Sequence, residues 1–245
     1  YGDHRDLHRV DRRQRQMCIR DSYNGETYDA AAYAGSGGAL RLTTPLITGD
    51  PGAILKVRAG GPVTVAAPDG VAPSTAKLSA LGADLSLTSG GDLLLNTAVF
   101  LPTGRLSLTA AGNLTLGDRA RIDLSGQAVS LFDVTKHTWG GDLLLESRNG
   151  NIEQKADSVI DVSAKDSDAG SIRLTATGAG GGRVSLGGTL RAHGGNGFRG
   201  GSFDIRAQSI GASADNLTTE VTDCAKSMTD SPQSLTKSIP QALGR

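Results

Sequence analysis

Two groups of residues in this sequence have types and spacings that could do chemistry. The first is Asp123 in Ile122-Asp123-Leu124, Asp161 in Ile160-Asp161-Val162 and Arg191 in Leu190-Arg191-Ala192, each the central residue of an apolar-x-apolar triplet. If the triplets are short strands in successive turns of one stack, these side chains form a surface column. The two carboxylates would then sit about 5 Å apart, the separation of a retaining glycosidase pair. The reading we adopt is plainer: outward positions are polar, and Arg191 offsets Asp161 in an exposed pair worth under about 1 kcal/mol. No catalytic residue is expected, and Asp123 and Asp161 are the pair that an enzyme reading would have to use.

The second group lies between 125 and 140, where Phe132, His137 and Trp139 gather residue types that are scarce elsewhere: the chain has 4 Phe, 4 His and 1 Trp. A segment that bulges from a repetitive scaffold is where binding residues are usually mounted. Phe132 and Trp139 could stack on a sugar ring. The preferred reading is that both rings cover an apolar side of the scaffold while Asp133 and Lys136 are solvated. His137 and His193 have no partner at a metal-ligand spacing, so no metal is expected.

Other chemistry finds no carrier. GGNGFR at 194–199 begins like a calcium-binding nonapeptide, but Arg199 stands where the ligand aspartate belongs and the motif occurs once. No GxxxxGK[ST], GxSxG or HExxH is present. Asp84 and Asp142 follow glycine ahead of apolar runs and read as turn residues. The sequons at Asn113 and Asn216 read as chance matches. No cofactor is expected.

The elements that would position these residues come from a repeat. From Gly82 onward short apolar-x-apolar triplets recur in groups of three, and the first triplet of each group starts at 85, 106, 143, 172 and 203. Period-two alternation marks half-buried strands. Runs of three to five residues are too short for a hairpin sheet, but they suit a coil that stacks on its neighbours. The expected fold is all-β: a right-handed parallel β-solenoid, or β-helix, with three short strands per coil. Leu106, Leu108, Leu114, Leu116, Ile122 and Leu124 should point inward, and Ser107, Thr115 and Asp123 outward. Glycine makes up 34 of 245 residues, roughly twice the usual share. Gly90, Gly104, Gly112, Gly141 and Gly150 are expected at corners, where positive φ or close backbone approach favours a residue without Cβ. Strands this short, without aromatic girdles, do not suit a membrane β-barrel.

Four segments follow. Residues 1–22 hold six arginines and four aspartates and lack the repeat. Within them RRQRQMCIRDS, Arg12 to Ser22, resembles one translated frame of a transposase-type sequencing-library adapter, so 1–22 is expected to be an assembly artefact. Without it 19 basic and 21 acidic residues remain, and Cys224 is the only thiol. That balance lacks the basic footprint of a nucleic-acid binder, and one thiol cannot form an intramolecular disulfide. Residues 23–81 read as an irregular coil with loops broken by proline, 82–210 as regular repeats, and 211–245 as a loose Ser/Thr-rich tail.

The stretches YDAAAYAGSGGALRLTTPL (Tyr28 to Leu46), GGDLLLESRNGNIEQKADSVIDVSAKDSDAGSIRL (Gly140 to Leu174) and GGTLRAHGGNGFRGGSFDI (Gly187 to Ile205) resemble the repeat region of filamentous haemagglutinin-type large exoproteins. The resemblance covers about 23–210. It implies two-partner secretion through an outer-membrane partner, a β-helical shaft on the bacterial cell surface, and a role in cell adhesion, biofilm or contact-dependent toxin presentation. The family's secretion domain is not recognisable, so the chain looks like an internal fragment. The expected function is a non-enzymatic structural shaft fragment of a secreted adhesin. Its partners would be neighbouring repeats of the same polypeptide and host-cell or biofilm glycans, with no nucleic acid. A β-helix polysaccharide lyase or glycoside hydrolase, and a glycan-binding module using the 125–140 loop, are the alternatives.

Overall fold

The structure, a computed structural model, describes residues 38–76, 80–178, 182–212 and 235–238. The segment 1–22, the start of 23–81 and most of 211–245 lie outside the described residues. Every regular element among the described residues is a strand. The strands form stacked sheets in which nearly all pairing is parallel, an architecture compatible with a parallel β-solenoid.

One sheet, here the long sheet, contains the six-residue strands Ile54–Ala59, Asp84–Ser89, Arg105–Ala110, Asp142–Ser147, Ser171–Ala176 and Ser202–Ala207 in that order. Leu235–Ser238 adds to its far edge antiparallel. The second sheet runs from Leu40–Thr43 through Val63–Ala66, Leu93–Asn96, Leu114–Leu116, Ile152–Gln154 and Arg183–Leu186 to Ser209–Ala212. The third orders Leu46–Ile47, Ala98–Phe100, Arg121–Asp123, Val159–Asp161 and Thr189–Arg191.

Alternation decides which side chains enter the core, and register stacks them. In the long sheet Leu85, Leu106, Leu143, Ile172 and Phe203 are successive pairing partners, as are Leu87, Leu108, Leu145, Leu174 and Ile205. All ten are buried. Leu93, Leu114, Ile152 and Val184 form a similar column in the second sheet, and Val99, Ile122, Ile160 and Leu190 one in the third. Each buried leucine or isoleucine contributes about 2 kcal/mol. A one-residue slip would turn a whole strand inside out, so the columns also fix the register.

Polar side chains fix two of the corners. Between the long and second sheets, Asp92 Oδ1 accepts the Asn113 amide at 2.7 Å, Asn113 Oδ1 the Asn151 amide at 3.0 Å, and Asn151 Oδ1 the Arg183 amide at 2.9 Å. After the second sheet, Asn96 Oδ1 accepts the Arg119 amide at 2.9 Å. These side chains satisfy backbone groups where the sheet ladder is interrupted.

The corner leading from the third sheet into the long sheet uses glycine instead. A Cβ on Gly104 would collide with the carbonyl oxygen of Ala83, one on Gly141 with that of Gly104, and one on Gly170 with that of Gly141. Close backbone approach is the requirement. None of the five glycines expected at corners is among the four described glycines with positive φ, which are Gly52, Gly70, Gly82 and Gly197.

Strands within 38–66 join the same sheets in register. Ile54–Ala59 pairs with Asp84–Ser89, and Val63–Ala66 with Leu93–Asn96. Among the described residues no strand of the third sheet arises between Val63–Ala66 and Asp84–Ser89, and Leu46–Ile47 pairs directly with Ala98–Phe100. The segment after Ala66 is held by the Ser74 amide donating to the Pro45 carbonyl at 2.8 Å and by Arg119 Nη2 donating to the Val71 carbonyl at 2.9 Å.

Candidate functional site

The third sheet brings Asp123, Asp161 and Arg191 into one outward column. Asp123 pairs with Asp161, and Asp161 with Arg191, on adjacent parallel strands. Local geometry uses each aspartate to end its own strand. Asp123 Oδ1 accepts from the Ser125 amide at 3.0 Å and the Ser125 hydroxyl at 2.6 Å. Asp161 Oδ1 accepts from the Ser163 amide at 2.9 Å and its hydroxyl at 2.5 Å. Arg191 Nη1 lies 3.8 Å from Asp161 Oδ2. The Asp-x-Ser spacing of two is the sequence signal for this turn.

The same column borders a cleft of about 330 Å³ whose lining includes Ser74, Thr75, Ala76, Phe100, Asp123 and Asp161. Phe100 occupies the outward position equivalent to Asp123 yet is 4% exposed. Both carboxylates thus face a cleft, each with one oxygen occupied by its own turn.

The interruption at 125–140 is a β-hairpin. Ala128–Leu131 pairs antiparallel with Val134–His137 across a two-residue turn, Phe132-Asp133. Phe132 takes φ 53°, a left-handed conformation that is costly for a bulky side chain. The base is tied down: Thr138 Oγ1 accepts from the Gln127 amide at 2.8 Å and shares a 2.5 Å hydrogen bond with the Thr103 hydroxyl.

The reading that Phe132 and Trp139 cover an apolar side of the scaffold is corrected. Phe132 is fully exposed and Trp139 is 61% exposed. The reason is the turn, which puts Phe132 at the hairpin tip instead of against a sheet. His137 closes the hairpin opposite Ala128, and its Nδ1 lies 3.5 Å from Asp166 Oδ2. The structure therefore separates the three residues: Phe132 is at the tip, while His137 and Trp139 are near the base. Among the described residues no three His, Cys, Asp or Glu side chains are placed to hold a metal ion.

A second concavity was not legible in the sequence. It is a groove of about 830 Å³ along the corner between the third and long sheets, bordered by Trp139, Asp142, Asp168, Ser171, Arg199 and Ser202. Asp142, read as a turn residue, opens the strand Asp142–Ser147. Its Oδ1 accepts from the Ser171 hydroxyl at 2.6 Å, and its Oδ2 lies 3.3 Å from Arg105 Nη2. Asp168 Oδ1 accepts the Arg199 amide at 2.8 Å. The lining comes from corners far apart in sequence, which only the stacking register brings together.

Lys155 Nζ donates to Glu153, two residues back in the chain. The Glu153 carboxylate, 2.6 Å from its ammonium, accepts a hydrogen bond from it and raises its pKa above the usual lysine value. No family model, no curated protein and no solved structure matches this chain.

Proposed function

We propose that this chain is a structural segment of the shaft of a large secreted bacterial surface protein of the filamentous haemagglutinin type. In this reading it is a right-handed parallel β-solenoid with three short strands per coil, has no enzymatic activity, and serves adhesion, biofilm or toxin presentation by holding other regions away from the cell. The observation that carries the reading is a core column whose first described member is part-exposed. Leu55 stands over Leu85 in the inward register, but it is 44% exposed where Leu85 is 5% exposed, and neighbouring Ile54 is 72% exposed. A further coil of the same polypeptide would cover Leu55 and extend the column, as solenoid repeats require.

Two experiments test this. Antibodies against the chain should label intact cells of the source bacterium and detect a polypeptide far longer than 245 residues. A cytosolic product of this length alone would overturn the proposal. For the absence of enzymatic activity, a panel of polysaccharides should show no depolymerisation. Turnover that Asp123→Asn or Asp161→Asn abolishes would establish the glycosidase reading instead.

A further inference from the structure

We infer that the corner groove beside Trp139 is a binding site for a linear, uncharged oligosaccharide lying along the stacking axis. The inference goes beyond the shaft reading and does not depend on it. It starts from the floor of the groove, where Gly140, Gly141, Gly170 and Gly200 present backbone alone. The close approach that excludes a Cβ at Gly141 and Gly170 thereby also strips the corner of side chains over several successive strands. A groove open along its length, with a floor of peptide groups, accepts an extended chain better than a compact ligand.

The walls carry what a sugar chain needs. Trp139 offers a large exposed apolar face with a polar N–H, and such a face matches the C–H side of a pyranose ring. The lining also includes Asp168, Ser202 and Arg199; Asp168 uses only its Oδ1, on the Arg199 amide, whereas Asp142 is committed to the Ser171 hydroxyl and Arg105. A carboxylate oxygen that accepts and a hydroxyl that both donates and accepts complement vicinal hydroxyl pairs. Asp142 is already paired with Arg105 at 3.3 Å and Asp168 is matched by Arg199, so the groove has no surplus positive charge to offset a sulfate or uronate and suits an uncharged chain. The stacking repeat supplies the spacing: contributions arrive every strand step, about 4.8 Å, close to the length of one pyranose unit.

Trp139 is the only tryptophan in the chain, so its fluorescence reports on this groove alone. The full chain is titrated with neutral linear tetrasaccharides of glucose, mannose and N-acetylglucosamine, and with sulfated and uronate oligosaccharides of the same length. At least one neutral ligand should give a saturable change in Trp139 emission. On immobilised copies of that ligand, Trp139→Ala and Asp168→Asn should each weaken binding at least tenfold, while Phe132→Ala leaves it unchanged. Trp139 is exposed, so its variant should keep the parent's far-ultraviolet circular dichroism, which is the folding control. No response from any neutral ligand overturns the inference. So does a response to charged ligands alone, or binding that Phe132→Ala abolishes and Trp139→Ala does not, which would place recognition at the hairpin tip.

Discussion

Gln154 occupies an inward position where its neighbours in the column are leucines. Its strand partners are Leu116 and Leu186, and the residue is 3% exposed. Neither its Oε1 nor its Nε2 has a hydrogen-bond partner. A buried polar group left unpaired costs about 1–3 kcal/mol, so the amide works against the column it sits in. Gln154→Leu removes that cost and completes a run of leucines with little change in volume. We expect a gain of about 2 kcal/mol. For a unit of this size that raises the Tm by about 4–8 °C, at roughly 2–4 °C per kcal/mol. Differential scanning calorimetry on the full chain and the variant, in the same buffer, reads the shift directly. Leu95→Gln is the counterpart, since Leu95 pairs with Leu116 in the same column. It should cost about 4 kcal/mol through lost apolar burial plus a new buried amide. A Gln154→Leu variant that melts at or below the parent temperature would refute the reasoning, because it would mean that the amide has a stabilising partner.

Four further perturbations follow from the same geometry. Gly141→Ala places a methyl group against the Gly104 carbonyl and should destabilise by about 3 kcal/mol, visible as a fall in denaturant midpoint. Asn113→Ala removes the acceptor for the Asn151 amide and should cost about 1 kcal/mol, whereas a surface change such as Lys136→Ala should leave the midpoint in place. Phe132→Asn relieves a left-handed backbone under a side chain that buries nothing, and a gain of about 1 kcal/mol is expected in the melting curve. The Lys155 amine should titrate above the ordinary lysine range and return toward it in Glu153→Gln, which side-chain NMR through the titration detects. Because the folded pKa is raised, this pair adds stability below the ordinary lysine pKa and loses it as pH climbs through the folded value.

The sequence is informative wherever one strand carries its own signal. The triplets beginning at Leu85, Leu106, Leu143, Ile172 and Phe203 are mutual pairing partners, because alternation marks the inward face of each strand and equivalent faces must stack. The hairpin is harder to see. Its turn is Phe-Asp instead of the Asn-Gly or Gly-x pairs that announce a two-residue connection, so 125–140 reads only as an interruption. Asn113 looks like part of a chance sequon, yet its side chain caps the strand beside it. That role depends on a partner 38 residues away, and no local pattern encodes it. The groove is hidden for the same reason: Trp139, Asp168 and Arg199 belong to three separate connections, and only the register brings them side by side. The Asp123 and Asp161 column was legible because both halves share the same triplet and the same Asp-x-Ser ending.

The connections of this chain are unequal in a way that bears on how such a sequence can change. From the long sheet to the second, the chain turns within 90–92, 111–113 and 148–151. From the third sheet back to the long one it runs through 124–141, which contains the whole hairpin, and then through 162–170 and 192–201. Each excursion returns to a strand in unbroken register with its neighbours. Material added at this corner therefore leaves the inward columns and the side-chain ladders untouched. Variation in length and composition can accumulate along this seam at almost no cost to folding, so related chains should differ most there and least in the leucines behind it.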